Sequence, residues 1–172
     1  DMDKAVEILR EKGLAASAKK AGRIAAEGIV YASITDDNKT GVLVEVNSET
    51  DFVAKNAVFR EYVDQVAQQA IASDADNMDA FLAEQWNADP SVTVAEALSQ
   101  EVAVIGENLK IRRYEKFVRT ESGRLVSYIH GGGRIGVLVE LICAKEADEL
   151  EELGKNIAMQ IAALNPKFIA TE

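Results

Sequence analysis

The chain has 172 residues, 48% of them hydrophobic and 28% charged, which is enough to bury a core and is typical of a globular protein. Its formal net charge of −10 argues against nucleic-acid binding, because proteins neutralise phosphates with basic surface. No apolar run approaches the roughly 20 residues of a membrane span, and with one cysteine and no signal-peptide pattern we expect a cytoplasmic location.

Two helices and a β-hairpin are predicted for the first part of the chain. Residues 3–12 place apolar side chains on one helical face, and Gly13 follows as a C-terminal stop. Residues 14–27 are rich in alanine and predict a second helix of weak amphipathicity. The β-branched segments 29–35 and 42–46, on either side of a polar turn, predict two antiparallel strands.

An acidic residue and a large aromatic residue follow the second strand. Residues 47–50 have the composition of a turn and a helix cap, and Asp51 and Phe52 come directly after them. A phenylalanine at such a corner either anchors the turn by packing or enters a partner. The next segment, 56–73, carries apolar residues at helical spacing and predicts a long helix.

The middle of the chain is polar and acidic, and we expect a short helix at 78–86. Thr93 and Glu96 have the spacing of a capping box, which begins another helix that ends near residues 106–108. In the plainest interpretation, Ile105 is the last core residue of this helix and Gly106 is its C-cap.

The last third of the chain predicts a strand, a second hairpin and a helix. The single strand is expected at 111–119, and the hairpin has strands at 124–130 and 135–144 around a glycine turn. The helix is predicted over 146–164, where acidic residues at its start suit the helix dipole. A following Asn-Pro pair ends this helix.

Two motifs at the glycine turn match catalytic or cofactor patterns but lack their context. Residues 131–136 fit GxGxxG, yet they join two strands, whereas a dinucleotide-binding loop leads from a strand into a helix. His130 with its following glycines fits the oxyanion segment of esterases, but the chain has one histidine and no GxSxG. One histidine and one cysteine also argue against zinc. We therefore expect no cofactor, no metal site and no bond chemistry, and His130 alone is most simply a strand-edge residue.

Two basic clusters, at 19–23 and 112–116, contrast with the acidic total. We interpret them as solvated faces, and contact with an acidic protein surface is the alternative. Cys143 lies in an apolar run and is expected to be a small buried hydrophobic residue.

The chain contains two copies of one unit. The segment GVLVEV that begins at Gly41 recurs as GVLVEL at Gly136, and these two residue numbers differ by 95. At the same offset, residues 50–52 align with residues 145–147, so that an alanine takes the place of Phe52. A residue that the shared fold requires should occur in both copies. The comparison therefore favours a role for Phe52 outside the core.

Several segments together resemble one protein family. Residues 50–56, TDFVAKN, resemble the signature of elongation factor Ts, the guanine-nucleotide exchange factor of bacterial translation. Three later segments are similar to blocks of that family in the same order: IGENLKIRR at 105–113, HGGGRIGVLV at 130–139 and IAMQIAALNP at 157–166. The resemblance extends from about residue 3 to residue 169.

The resemblance implies a partner and a set of contact residues. The partner is elongation factor Tu, a GTPase, from which the family expels GDP. Asp51 and Phe52 are implied to enter the GTPase near its magnesium and phosphate site. Ile105, Gly106 and His130 match family positions that also contact the partner.

The predicted elements indicate an α+β fold of antiparallel hairpins flanked by helices, and the resemblance implies two related subdomains, each a small antiparallel sheet flanked by helices, preceded by N-terminal helices. We expect the N-terminal helices at 1–27, a first subdomain at 28–120 with a helical excursion at 74–109, and an incomplete second subdomain at 121–172. The strand at 111–119 would close the first sheet.

The sequence departs from the family pattern at both ends. The compact N-terminal helical domain is represented only by its last helix, at 4–12, so we expect a reduced affinity for the GTPase. The chain also ends before the coiled coil and before the strand that completes the second sheet in the family. Either the chain is a fragment, or a second copy in a homodimer covers the unpaired edge.

Two other functions are compatible with the residues. The first is a scaffold or dimerisation module built from the same repeats and acidic surface. The second is a hydrolase that uses Asp51 together with Glu49. Accelerated release of GDP from elongation factor Tu distinguishes the exchange factor from both.

Overall fold

A computed structural model describes residues 2–144 and 149–168. Its elements are, in chain order, α1 (Met2–Lys20), β1 (Glu27–Ile34), β2 (Thr40–Ser48), α2 (Asp51–Ala54), α3 (Ala57–Ala72), α4 (Met78–Ala83), β3 (Gln85–Trp86), β4 (Asp89–Thr93), α5 (Val94–Ile105), β5 (Lys110–Val118), β6 (Gly123–His130), β7 (Ile135–Ile142) and α6 (Glu149–Leu164). The strands form an antiparallel sheet in the order β1-β2-β5 and two antiparallel pairs, β3 with β4 and β6 with β7. Small antiparallel sheets flanked by helices confirm the predicted α+β class.

Parts of two predictions lie outside the described residues. They are the start of the last helix, at 146–148, and the segment 145–147 that aligns with the Phe52 turn. None of the helices in the described part of the chain is long and apolar enough to cross a membrane.

The N-terminal region is one helix, so the predicted stop at Gly13 is wrong. α1 continues through Gly13 and ends at Lys20. A Cβ at Gly13 would lie 3.7 Å from the Cα of Gln100 and 3.8 Å from the carbonyl oxygen of Ser99, both on α5. These are ordinary van der Waals distances, so the glycine is buried against α5 without a special close approach, and this packing outweighs its poor helix propensity.

A short hairpin was not predicted in the middle of the chain. The helix expected at 78–86 ends at Ala83, and β3 and β4 follow it. Trp86 is only 5% exposed, and its ring centroid lies 5.9 Å from that of Tyr62 on α3. The Gln69 side chain donates to the carbonyl of Gln85 and accepts from the amide of Asn87. These contacts with a distant helix hold the hairpin, and no local pattern indicates them.

The main core lies between the first sheet and α3. Val42, Val44 and Val46 alternate along β2 and are each fully buried. Phe59 and Val63 of α3 are also fully buried in the same cluster. This core fixes the C-terminal end of β2, where the chain enters α2.

The two long hairpins have the same register, as the repeat predicts. Gly28 lies opposite Asn47 in the first hairpin, and Gly123 lies opposite Ile142 in the second. Both glycines have positive φ, 127° and 150°, and a Cβ on either would overlap a carbonyl oxygen of the neighbouring strand. The residue numbers of the second pair are those of the first pair plus 95. The duplicated sequence thus forms a duplicated backbone.

The hairpins pack against each other through a second pair of equivalent glycines. Each glycine leaves room for two aliphatic side chains of the opposite hairpin: Leu125 and Leu138 at Gly41, and Val30 and Leu43 at Gly136. These side chains also correspond at the offset of 95, so the contact is reciprocal. In addition, the Asn38 amide donates to the carbonyl of Leu125 at 2.9 Å and accepts from its N–H at 2.8 Å. Two hairpins related in this way form one framework.

We predict that Gly28→Ala and Gly123→Ala destabilise the protein to a similar extent. An alanine at either position would be strained at positive φ and would overlap a strand carbonyl, so each should lower the free energy of unfolding by about 2 kcal/mol or more. Urea denaturation monitored by circular dichroism measures the effect.

The control is Gly22→Ala, because a Cβ there meets no atom within 4 Å and φ is not positive. It should change the free energy of unfolding by less than about 0.5 kcal/mol. A tolerated alanine at Gly28 or Gly123 would contradict the equivalence of the two hairpins.

Glu101 on α5 has a buried carboxylate oxygen without a hydrogen-bond partner in the described part of the chain. Burial, with a smaller contribution from the charge of Glu61, raises the pKa of Glu101. The hydroxyl of Tyr62 is likewise buried without a described partner. The ionised form of Glu101 therefore opposes folding.

We predict that Glu101→Gln increases the free energy of unfolding at pH 7. A raised pKa means that the folded state binds the proton more tightly, so the cost of ionised Glu101 is present above its folded-state pKa and disappears below the ordinary value of 4.5. The advantage of the variant should shrink as the pH falls towards 4.5, measured by urea denaturation at a series of pH values. Exposed Glu11→Gln is the control. No gain at pH 7 would contradict the prediction.

Candidate functional site

Phe52 lies on a one-turn helix that is anchored in the core from one side. Val53 and Ala54 are 9% and 8% exposed and belong to the core cluster, whereas Phe52 is 80% exposed. Successive helical residues point about 100° apart, so burial of the next two side chains directs the Phe52 ring outward. The ring therefore lies outside the core, where the comparison of the two repeats predicts it.

The N-terminal end of α2 is held by a carboxylate from a distant loop. Glu107 accepts hydrogen bonds from the amides of Glu49 and Thr50, both at 3.0 Å, and from the hydroxyl of Thr50 at 2.6 Å. Thr50 is the N-cap residue of α2, but its side chain makes no capping bond within the helix. The hydroxyl is used for the link to Glu107 instead.

A reciprocal contact strengthens this link. Glu49 accepts a hydrogen bond from the amide of Asn108 at 2.6 Å and forms an ion pair with Arg23 at 3.6 Å. The Asn108 side chain in turn donates to the carbonyl oxygen of Arg23 at 2.7 Å. We call this set of contacts between residues 49–50 and residues 107–108 the two-loop clamp.

Ile105 and Gly106 lead directly into the two-loop clamp. Ile105 is the last residue of α5 and packs partly buried against the core, while Gly106 is an exposed left-handed C-cap with φ of 84°. A Cβ on Gly106 would meet no atom within 4 Å. The plain interpretation as a helix end is confirmed, and the position is open to solvent on its outer side.

Asp51 is ionised and paired with a neighbouring lysine. Lys55 donates to its carboxylate at 2.8 Å, one helical turn further on. This hydrogen bond and the charge of Lys55 lower the pKa of Asp51, and Arg134 contributes less. The pair is largely exposed, so it adds little stability and its members remain able to change partners.

The glycine turn after His130 is tied to the first hairpin and to α3. The carbonyl oxygen of Gly133 accepts from the amide of Val30 at 2.7 Å, and that of Gly132 accepts from Arg60 at 2.9 Å. A Cβ on Gly133 would lie 2.8 Å from the Cβ of Ile29. The turn therefore fixes the end of the second hairpin next to β1.

The His130 ring lies at the edge of a groove between the second hairpin and α6. It shares a 2.9 Å hydrogen bond with the hydroxyl of Tyr128, and the two rings are 6.0 Å apart. The groove has a volume of about 300 Å³ and is lined by Tyr128, His130, Ile135, Met159, Ala162 and Ala163. His130 is exposed at a strand end, as the sequence predicts.

The structure brings some of the predicted site residues together and leaves one apart. Asp51 and Phe52 are joined to the segment of Ile105 and Gly106 by the two-loop clamp. The described hydrogen bond of the His130 ring stays within its own strand, and this residue connects to the others only through its turn. Two surface regions result, one at the clamp and one at the groove.

The role of Glu107 was not recognised from the sequence. One signal was available: Thr50 occupies an N-cap position, yet the residue three places later is Val53 and not the Glu or Gln of a capping box. An N-cap without a local acidic partner indicates that its free amides are satisfied elsewhere. Which residue supplies the carboxylate cannot be read from local spacing.

Other predictions concern residues around the site. Arg113 and Arg112 lie 2.7 Å and 3.6 Å from the carboxylate of Glu45, so part of one basic cluster is paired within the chain. Cys143 lies beyond the end of β7 and is partly exposed, so the prediction of a buried thiol is wrong. In the described ranges no group of three or more His, Cys, Asp or Glu residues is placed to hold a metal.

A family model and several curated relatives match this chain. The family model is described as "Elongation factor TS" and matches residues 49–172. Elongation factor Ts of Clostridium novyi is 55% identical over 169 residues, covering 98% of this chain and 55% of the relative. The proteins of the same name from Clostridium kluyveri and Clostridium perfringens are 51% and 52% identical, over 100% and 99% of this chain.

The chain spans about half the length of the curated relatives that it matches. The family model covers most of the chain, including the Phe52 turn, the clamp and the second hairpin. On this ground the chain belongs to the elongation factor Ts family.

Proposed function

We propose that this chain is a translation elongation factor that binds elongation factor Tu and promotes the release of its GDP by inserting Asp51 and Phe52 near the magnesium and phosphate site. It makes and breaks no covalent bond, and it acts in the cytoplasm, where the GTPase works. The observation that carries the proposal is the 80% exposure of the Phe52 ring on a backbone held from two sides. An aromatic ring in that position has a large apolar surface available for a partner.

The free energy that Phe52 contributes to binding follows from the burial of its ring in the partner. Complete burial of a phenylalanine side chain supplies roughly 1.5–3 kcal/mol, or about a ten- to hundredfold change in affinity. By linkage, whatever factor this chain loses in affinity when GDP binds, GDP loses when this chain binds. Phe52 therefore weakens GDP binding only if its pocket opens when the nucleotide and metal have left.

Asp51 contributes a charge to the same region. Its lowered pKa keeps the carboxylate ionised at neutral pH, and its exposed pairing with Lys55 leaves it able to engage a new cation. A carboxylate near a nucleotide-bound magnesium ion would compete with the phosphate oxygens for the metal. Asp51 would then disturb the surroundings of the metal while Phe52 occupies space beside it.

The remaining candidates would position the partner. Gly106 is exposed beside the clamp, and Ile105 is the last residue of the helix that precedes it. His130 borders a mostly aliphatic groove of the second hairpin, separate from the clamp. We propose that the clamp region engages the nucleotide-binding domain and that the groove engages a second domain of the GTPase.

The hydrolase alternative lacks a suitable acid. Asp51 has a lowered pKa and is paired with Lys55, while Glu49 accepts from the amide of Asn108. A general acid needs a raised pKa, which burial or a like charge would provide. Asp51 is arranged in the opposite way, and Glu49 is engaged in the contacts with Asn108 and Arg23.

We predict that Phe52→Ala reduces the stimulation of GDP release by ten- to hundredfold. The expected loss follows from the apolar surface of the ring, about 1.5–3 kcal/mol. The measurement is stopped-flow release of fluorescent GDP from a bacterial elongation factor Tu over a range of concentrations of this chain.

Phe168→Ala is the matched control, because Phe168 is 82% exposed but lies at the other end of the described chain. It should change the stimulation by less than about twofold. No stimulation by the unaltered chain at any concentration would favour the scaffold, whereas equal activity of Phe52→Ala would contradict the insertion of Phe52 and leave the exchange activity to other contacts. Size-exclusion chromatography with and without GDP tests both complex formation and a homodimer.

A further inference from the structure

We infer that Glu107 is a positioning residue for nucleotide exchange, which holds the Phe52 turn in its binding geometry before the partner arrives. The inference rests on the proposed function and extends it to a residue that would not itself touch the nucleotide site. Its basis is the set of three hydrogen bonds that the Glu107 carboxylate accepts from Glu49 and Thr50.

The helix α2 is weak by itself. This helix has only four residues, so nearly all of its backbone amides lack intrahelical partners. A single turn is not stable in isolation. Its geometry therefore depends on groups outside the helix.

The helix α5 of the same molecule begins with the local cap that α2 lacks. At the start of α5, Thr93 and Glu96 form a complete capping box, in which Glu96 accepts from the amide of Thr93 at 2.7 Å. At the start of α2, the equivalent glutamate position is Val53, which is buried in the core. Glu107, 57 residues from Thr50, supplies the carboxylate in its place. The N-cap amide therefore donates to a glutamate of the same helix in α5, and to a glutamate from a distant loop in α2.

The Phe52 turn is held by different contacts on its two sides. The side chain at position 53 is buried in the core. A glutamate at this position could not cap the helix without burying its carboxylate. The Phe52 ring is exposed and receives little packing that would fix it. The core contacts of Val53 and Ala54 hold one side of the turn, and the charge-assisted bonds to Glu107 hold the amides on its other side.

The consequence is preorganisation. Without Glu107 the two amides would hydrogen-bond to water, and the Phe52 turn would adopt several conformations. Binding of the partner would then have to select one of them, at a cost in conformational entropy. Ordering one side chain or a short turn on binding weakens affinity by about two- to tenfold. Because the bound geometry itself would be unchanged, the cost should fall on binding and leave the maximal release rate nearly intact.

The test uses Glu107→Ala with two measurements. In the exchange assay, the concentration of this chain at half-maximal GDP release should rise about two- to tenfold, while the maximal rate changes by less than about twofold. In amide hydrogen exchange followed by nuclear magnetic resonance, the N–H groups of Glu49 and Thr50 should exchange about tenfold faster or more.

Two further variants separate positioning from a general loss of structure. Glu107→Gln keeps a carbonyl oxygen that accepts from both amides, so it should restore amide protection and half-maximal concentration to within about twofold of the unaltered chain. Glu96→Ala removes the equivalent bond at α5 and should leave the amides of residues 49 and 50 unchanged. If Glu107→Ala does not fold, Thr50→Val removes only the 2.6 Å hydroxyl bond and should raise the half-maximal concentration to a smaller extent.

The outcomes distinguish this inference from the proposed function. An unaltered chain that does not accelerate GDP release overturns the proposed function, and the exchange role of Glu107 with it. An active chain in which Glu107→Ala has an unchanged half-maximal concentration overturns this inference alone. So does a loss that Glu107→Gln fails to restore, or unchanged protection of the two amides.

Discussion

An exposed aromatic ring has little packing to fix its position, so the backbone beneath it must be held from elsewhere. In this protein the Phe52 ring is 80% exposed, and its backbone belongs to a helix of one turn. The core holds that turn through Val53 and Ala54, and the carboxylate of Glu107 holds the amides of Glu49 and Thr50 that precede it. The rest of the molecule serves to bring these two supports to the same place.

The internal repeat separates what the fold requires from what only one half contains. Gly28 and Gly123 allow equivalent close approaches of strands, and Gly41 and Gly136 allow the two hairpins to pack reciprocally. Replacement of these glycines would strain or crowd the backbone in both copies. Phe52 has no such duplicate, since alanine occupies the corresponding sequence position. A residue that is absent from one copy and exposed in the other is explained better by a partner than by stability.

Local patterns predicted the regular elements well, because their causes lie within a few residues. The capping box of Thr93 and Glu96, the alternating valines of β2 and the helix end at Gly106 are each determined by neighbours in the chain. The errors arose where distant contacts decide the structure. Gly13 continues a helix because α5 packs against it, and Trp86 enters a strand that α3 holds in place.

The candidate site likewise has one feature that the sequence predicts and one that depends on a distant contact. The outward position of Phe52 followed from comparing the two halves of the sequence, whereas the contact of Glu107 with Thr50 joins residues 57 positions apart. A capping position without its glutamate indicated that a partner was needed, but not which residue it was. The partner contacts proposed for Ile105, Gly106 and His130 rest on the family resemblance, and no local pattern at these residues indicates them.

The Glu107 carboxylate comes from a different loop and therefore links the two regions that are proposed to contact the partner. Glu107 follows Gly106 directly, so the segment proposed to contact the partner at the end of α5 also carries the group that holds the Phe52 turn. Glu49 in turn accepts a hydrogen bond from the amide of Asn108, so neither loop can shift without breaking hydrogen bonds to the other. A local capping residue at position 53 would have left the hydrogen bond from the Asn108 amide to Glu49 as the remaining link within the clamp. With the carboxylate supplied by the other loop, the two proposed contact regions are joined by hydrogen bonds, and under the proposed function a displacement at Gly106 would act on the Phe52 turn through them.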